Sequence, residues 1–231
     1  MMKKKLVIST GAGISAESGI KTFRDSDGLW ENYDVMEVAS ADGFRRNPKL
    51  VHEFYNDRRA QLATVEPNAA HRGLVELEKW YDVYIITQNV DDLHERAGSS
   101  NILHLHGELM NVASMDDRSQ VWRLNDYTVR TTPETEIEGH NVRPDIVFFQ
   151  EAVPMIEPAA ELASEADIFV VIGTTLVVYP AAGLLQCVKP GTPVYYIDPN
   201  PAAVPSWVNV IRQPATQGVA TLVDLLRPAQ D

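Results

Sequence analysis

The chain has 231 residues, 45% apolar and 23% charged, with a formal net charge of −12 and a single cysteine. That length and apolar content suit one large domain with a substantial core and exclude a disordered chain, while the acidic balance argues against binding a phosphate backbone. The lone Cys187 excludes an internal disulfide framework and any zinc site built from several thiolates, so a reducing cytoplasm is the expected compartment.

Met1-Met2-Lys3-Lys4-Lys5 is basic like the start of an export signal, but the apolar run Leu6-Val7-Ile8 is too short to complete one. No stretch approaches the ~18 apolar residues that cross a bilayer, so neither membrane nor nucleic acid is expected as a partner. Leu6–Thr10 is the first short β-branched run, and Val83–Thr87, Ile146–Phe149, Ile168–Ile172 and Val194–Ile197 follow it. Runs without polar alternation are what strands buried on both faces require. Helical periodicity lies between them at Ala69–Lys79, Val90–Ala97, Ile156–Ser164 and Ala181–Val188. A last helix, Gly218–Leu226, stops before Pro228. The alternation predicts an α/β, Rossmann-like doubly wound parallel sheet in a single domain over 1–231.

Two regions break the rhythm. Residues 18–62 hold Gly19, Gly28, Gly43 and Pro48 and no strand-like run, and residues 108–142 carry seven acidic against three basic residues. The second reads as a loop, a lid or a small inserted module. Within it Trp122, Leu124, Tyr127 and Val129 flank Asn125-Asp126, which predicts a two-residue hairpin with all four side chains on one face.

Directly after the first strand comes Gly11-Ala12-Gly13-Ile14-Ser15-Ala16. Glycines there let the backbone approach a pyrophosphate, and a following helix N-terminus would favour its charge. The second strand and acidic ribose ligand of an ordinary dehydrogenase do not follow. A nucleotide site is therefore expected without hydride-transfer chemistry.

Gly11-Ala12-Gly13-Ile14-Ser15, Phe23-Arg24, Thr87-Gln88-Asn89-Val90-Asp91, His106-Gly107, Arg143-Pro144-Asp145-Ile146-Val147-Phe148-Phe149, Gly173-Thr174-Thr175-Leu176 and Val178-Tyr179-Pro180-Ala181 resemble the motifs of the sirtuins, the NAD-dependent protein-lysine deacylases. They run in family order over nearly the whole chain. The resemblance implies NAD as cofactor and acyl-lysine-bearing proteins or peptides as partners, with nothing that requires more than a monomer. It also implies a reaction in which the acyl oxygen displaces nicotinamide from NAD, giving free lysine, O-acyl-ADP-ribose and nicotinamide.

His106 occupies the position of the family's general base, and an imidazole with a pKa near ~6.5 suits that task. His104, two residues earlier, would share its face if the strand continued. Asn89 and Asp91 resemble the remaining catalytic residues, and with Gln88 they would hold the nicotinamide ribose and carboxamide. Gly11, Ala12, Gly13, Ser15, Gly173, Thr174, Thr175, Asp198 and Asn200 resemble further cofactor-binding positions. Phe23, Arg24 and Trp30 fall in the segment that resembles the family's mobile cofactor loop, within the 18–62 insertion. Val147 and Phe149 resemble the segment that pairs with substrate peptide.

Tyr55 and Arg58 lie three apart, hence on one helix face, and resemble the Tyr-x-x-Arg pair of the desuccinylase and demalonylase subclass. A phenol beside a guanidinium would bind an acyl carboxylate. Acetyl, succinyl and malonyl groups are the expected substrates. The alternatives are a module that binds NAD or ADP-ribose without turnover, and an NAD glycohydrolase or ADP-ribosyltransferase.

Three departures stand out. Gln150 replaces a usual glycine, and Asp198 replaces a common asparagine. The family's four zinc-binding cysteines are missing from 108–142. A small module without metal is therefore expected, with the proposed hairpin standing in for zinc, and Cys187 is expected to be buried.

Overall fold

The structure, a computed structural model, describes residues 3–21, 29–30 and 33–228. Strand β1 (Lys5–Thr10) leads through two single-turn 3-10 segments, Ala12–Ile14 and Ala16–Ser18. The two-residue strands β2 (Leu29–Trp30) and β3 (Tyr33–Asp34) precede helices α1 (Val35–Val38), α2 (Ala41–Arg46) and α3 (Pro48–Leu62). Helix α4 (Ala69–Leu77), β4 (Asp82–Thr87), α5 (Leu93–Ala97) and β5 (Ile102–His104) come next. Four strands build the inserted module: β6 (Gly107–Ser114), β7 (Val121–Arg123), β8 (Glu136–Ile137) and β9 (His140–Ile146). The chain returns through α6 (Ile156–Ser164), β10 (Ile168–Ile172), α7 (Leu184–Cys187), β11 (Val194–Ile197), β12 (Val208–Ile211) and α8 (Ala215–Leu226).

The main sheet is parallel throughout, in the order β12-β11-β10-β1-β4-β5. Because strand side chains alternate, each central strand feeds two cores. Leu6, Ile8, Val170 and Ile172 pack with α4 and α8, whereas Val7, Phe169 and Val171 pack on the opposite face with α6 and α7. Both layers are fully enclosed, which explains the continuous apolar runs. No helix among the described residues is long and apolar enough to cross a membrane.

The inserted module is a separate antiparallel sheet, β7-β6-β9-β8. Three expectations change here. Ile146–Phe149 is not a strand of the parallel sheet: β9 ends at Ile146 and pairs antiparallel with β6. Beyond it the Phe148 amide donates to the Glu151 carboxylate instead of a neighbouring strand. The hairpin at 122–129 does not form either. Trp122 lies on β7, which pairs with the preceding β6, and the connection is closed at Ser114, whose hydroxyl accepts from Asp116 and Asp117 amides. Trp122, Leu124 and Val129 still meet around Val112 and Val142, while Tyr127 turns to a different core. Cys187 is exposed rather than buried, because the 181–188 helix is only a 3-10 turn followed by the four residues of α7.

Candidate active site

The residues singled out from the sequence gather at one edge, past the carboxyl ends of the parallel strands. Gly11–Ser15 follows β1, Gln88–Asp91 follows β4, His106 follows β5, Gly173–Thr175 follows β10 and Asp198–Asn200 follows β11. Open α/β sheets bind their ligands at that edge. The glycine turn differs from expectation in one respect: the segment after β1 is two three-residue 3-10 turns, too short to present a helix dipole. Its glycines serve close approach instead. A Cβ at Gly13 would sit 2.6 Å from Gly173 Cα, and the Gly13 amide donates to Gly173 carbonyl at 2.8 Å. The turns after β1 and β10 are therefore interlocked backbone to backbone.

Ser15 organises the next layer. Its hydroxyl donates to Asp91 Oδ2 at 2.9 Å and accepts from Asn89 Nδ2 at 3.1 Å. Asp91 Oδ1 accepts the Leu93 amide at 3.1 Å, so this carboxyl also anchors the start of α5. Burial dominates its titration and pushes its pKa up to about 6. The Asn89 amide is held by Thr87 Oγ1 at 3.0 Å. Gln88 Nε2 reaches Thr174 Oγ1 at 3.4 Å, which joins the β4 and β10 turns.

His106 and His104 dock on the same loop through consecutive carbonyls. His106 Nδ1 lies 3.0 Å from Gln88 O, and His104 Nδ1 lies 3.1 Å from Asn89 O. A carbonyl only accepts, so His106 carries its proton on Nδ1 and leaves Nε2 as the acceptor. Burial holds its pKa below the ordinary value, which favours that neutral form. Among the described residues, His106 Nε2 takes no hydrogen bond. His104 does not continue in a strand with His106, since β5 ends at His104 and its Nε2 is occupied by Glu95 at 2.7 Å. Gly107 explains the pairing of His106 with glycine: it adopts φ +82, and its Cβ position lies 1.9 Å from Asp145 carbonyl oxygen.

Asp198 is buried and accepts the Asn200 amide at 2.8 Å, whereas Asn200 and the Thr175 side are more open. Phe23 and Arg24 lie outside the described residues, as does the side chain of Trp30. Val147 donates its amide to His106 carbonyl at 3.0 Å, and the half-exposed Phe149 pairs with the backbone at Ala39 and Ala41. Arg143 and Arg118 both grip Glu151, which fixes the bend that carries these two residues.

Tyr55 and Arg58 both sit on α3 but in different surroundings. Tyr55 is wholly enclosed against Phe54 and Phe148, and burial raises its pKa. Arg58 lies over the Phe54 ring and lines a narrow cavity of about 40 Å³ with Lys21, Val90, Asp91 and Leu109. Arg58 therefore faces the proposed catalytic loop.

Sequence reasoning missed His94 and His71. His94 Nε2 lies 3.1 Å from Thr10 Oγ1, which in turn donates to Thr87, and the two imidazole rings meet edge-on at 5.0 Å. Burial lowers both pKa values, His71 to about 4. They form a neutral support under the Thr87–Asn89 turn. A polar residue recurring on an otherwise apolar helix face was their only signal.

The donor set fits NAD by its chemistry: the side-chain amides of Gln88 and Asn89 match a carboxamide, the Asp91 carboxylate and Ser15 hydroxyl match a ribose diol, and the interlocked glycine turns match a pyrophosphate. Together these define an α/β protein of the nucleotide-binding class, with a neutral histidine at the C-terminal edge of its sheet. Comparison with known proteins narrows the class, for the Sir2 family profile matches residues 11–180. The chain is 52% identical to an NAD-dependent protein deacylase of Helicobacter pylori, over 96% of this chain and 97% of that one. It is 51% identical to a protein of the same description from Bacteroides thetaiotaomicron, over 98% and 99%. A solved Sir2 homologue–NAD complex superposes with a TM-score of 0.86 at 37% identity, covering 97% of this chain and 90% of that one. A Sir2 bound to acetylated peptide gives 0.79 at 26% identity, over 96% and 93%. The chain belongs to the Sir2 family.

Proposed function

We propose that His106, Asn89 and Asp91 carry the NAD-dependent protein-lysine deacylation of this Sir2-family chain. The observation that supports the roles best is the contact of His106 Nδ1 with the Gln88 carbonyl, which selects its tautomer. With Nδ1–H committed to Gln88 carbonyl, Nε2 is the atom that receives a proton from a hydroxyl brought against it. NAD, when bound, supplies an electrophilic ribose carbon and nicotinamide as the group that leaves.

The protein's work is placement. Asn89 is restrained at its amide, its carbonyl and its side chain, so its carboxamide edge has little freedom left to lose on binding. Gln88 offers a second amide beside it. Asp91 and Ser15 present hydroxyl acceptors from below. Gly11, Ala12, Gly13, Gly173, Thr174 and Thr175 bring backbone close to the phosphates, with Asp198 and Asn200 at the adenosine end. Phe23, Arg24 and Trp30 are proposed to complete the cover. Val147 and Phe149 are proposed to border the peptide. Tyr55 and Arg58 are proposed to extend the substrate range to succinyl- and malonyl-lysine, and the cavity between Arg58 and Asp91 is the observation that favours this.

Nicotinamide release, measured with and without acetylated or succinylated peptide, tests the reading. Release that requires the peptide is expected. Peptide-independent release would make the chain a glycohydrolase or ADP-ribosyltransferase, and no release would make it a binding module.

A further inference from the structure

His104 is bound at both ring nitrogens by groups that can only accept: Asn89 carbonyl at Nδ1 and the Glu95 carboxylate at Nε2. A neutral imidazole has one N–H and would leave one of these contacts without a proton. We propose that His104 is a positioning residue that works as an imidazolium, tying the carbonyl of Asn89 to Glu95 on α5 and thereby fixing the loop that holds the nicotinamide ribose. This rests on the proposed assignment of Asn89, with Asp91 on the same loop, to the nicotinamide end of NAD.

The surroundings agree from every side. Among the described residues, Glu95 is the only carboxylate bonded to the ring, and Glu108 on β6 adds its field while being paired itself with Arg123 of β7 at 3.2 Å. His94, on the same helix, is held neutral, so it does not compete for the proton; Asp91 lies within the field of His104. Glu95, His104 and Glu108 bring one nitrogen and two carboxylates within 4.8 Å, and the Glu95–His104 bond beside the Glu108–Arg123 pair makes this an ion-pair network. Desolvation works against the charge, but the Glu95 bond and the neighbouring carboxylates together raise the His104 pKa above 6.5.

The consequence is directional. Below the ordinary imidazole value the clamp is complete, and it is lost as pH rises through the raised pKa of His104. Asn89 then loses one of its three restraints while His106, two residues away, remains neutral and competent. The alkaline fall in kcat/KM for NAD should thus report His104.

The test is a proton NMR titration of the six histidines in chelator-treated protein, with His104 assigned by its loss in His104→Gln. It is paired with pH profiles of kcat/KM for NAD in wild type, Glu95→Gln and His104→Gln. Wild-type His104 should titrate above 6.5, at the pH of the alkaline limb. In Glu95→Gln both should move down together. His104→Gln should lose that limb and fall on the order of tenfold in kcat/KM for NAD, with the KM for peptide unchanged. A His104 that titrates at or below 6.5 would overturn the imidazolium and leave the role of Asn89 intact. A high His104 pKa with NAD kinetics indifferent to it would overturn the positioning role through the Asn89 assignment.

Discussion

Asp91 is an enclosed carboxyl that Ser15 and the Leu93 amide hold as an acceptor. Its pKa rises from 3.8 to about 6, chiefly through burial. Between those values the folded chain keeps a proton that the unfolded chain has released, so stability falls as pH rises through that window and stays lower above it. The difference corresponds to roughly 3 kcal/mol at neutral pH. Asp91→Asn removes that cost, since Ser15 can accept from the new amide. The urea midpoint of the variant should rise at pH 7.5 while deacylation drops by on the order of a hundredfold; a variant less stable than wild type would show that the charge is not the burden argued here. Arg58 gives a second test. Removing a charge-assisted partner of a carboxylate costs ~1.5–3 kcal/mol, which is ~10–100-fold in kcat/KM. Arg58→Met should lose that much desuccinylation and far less deacetylation, and equal losses would leave Arg58 without a carboxylate to bind. Gln150 shows how a residue can depart from family pattern and remain in place. It adopts φ +76, where glycine is easiest, and is held there by exchanging two bonds with Asp42 at the start of α2.

At the scale of elements, α3 ties the inserted module to the rest of the chain. Pro48 at its first turn and the Asn47 cap, which accepts the Leu50 amide, start the helix. One buried side is polar: His52, Asn56 and Arg59, spaced four and three apart, all bond to the module. His52 meets Thr131 Oγ1, Asn56 bonds Thr131 backbone, and Arg59 donates to Leu109 O, Val129 O and Asn56 Oδ1. Burial lowers the Arg59 pKa to about 10, and among the described residues no carboxylate pairs with it. Arg59→Leu would take the guanidinium from the Leu109 and Val129 carbonyls, while Asn56 Oδ1 keeps the Thr131 amide, at a cost of about 2 kcal/mol or more. Amide exchange should quicken across 107–131 before the parallel sheet loosens, and uniform quickening would deny α3 this local role. None of this was legible in the sequence. A polar stripe on a helix normally reads as its solvent face, and the alternation at 122–129 suited a tight hairpin as well as it suits β7 followed by a loop. The deciding turn at Ser114 uses side-chain acceptors in place of glycine.

Across the whole molecule, what the sequence disclosed follows from how completely each part is enclosed. The central strands β1, β4, β10 and β11 are covered on both faces, and an unbroken apolar run can satisfy little else. The candidate site at the carboxyl edge was legible because its turns carry residues whose chemistry fits few other tasks, with Gly107 required where a Cβ would collide with the Asp145 carbonyl. The antiparallel module was not, since its short outer strands β7 and β8 are largely open to solvent and its cohesion comes from distant partners. That module lacks the cysteines which, in typical sirtuins, surround a structural zinc, and such a metal can supply ~10–16 kcal/mol of apparent binding energy in small peptides. Here three other features oppose its loosening: the small core of Val112, Leu124 and Val142 with Trp122 and Val129, the α3 clamp, and the Arg143–Glu151–Arg118 grip at its exit. All three are built from side chains that a chelator does not touch. Prolonged dialysis against a strong chelator should therefore leave the thermal midpoint and deacylation rate unchanged, in contrast to the collapse expected where thiolate-bound zinc carries the module. Stoichiometric zinc in the purified chain, with a fall in midpoint on its removal, would mean that the clamp and core are insufficient and that some other donor set does the metal's work.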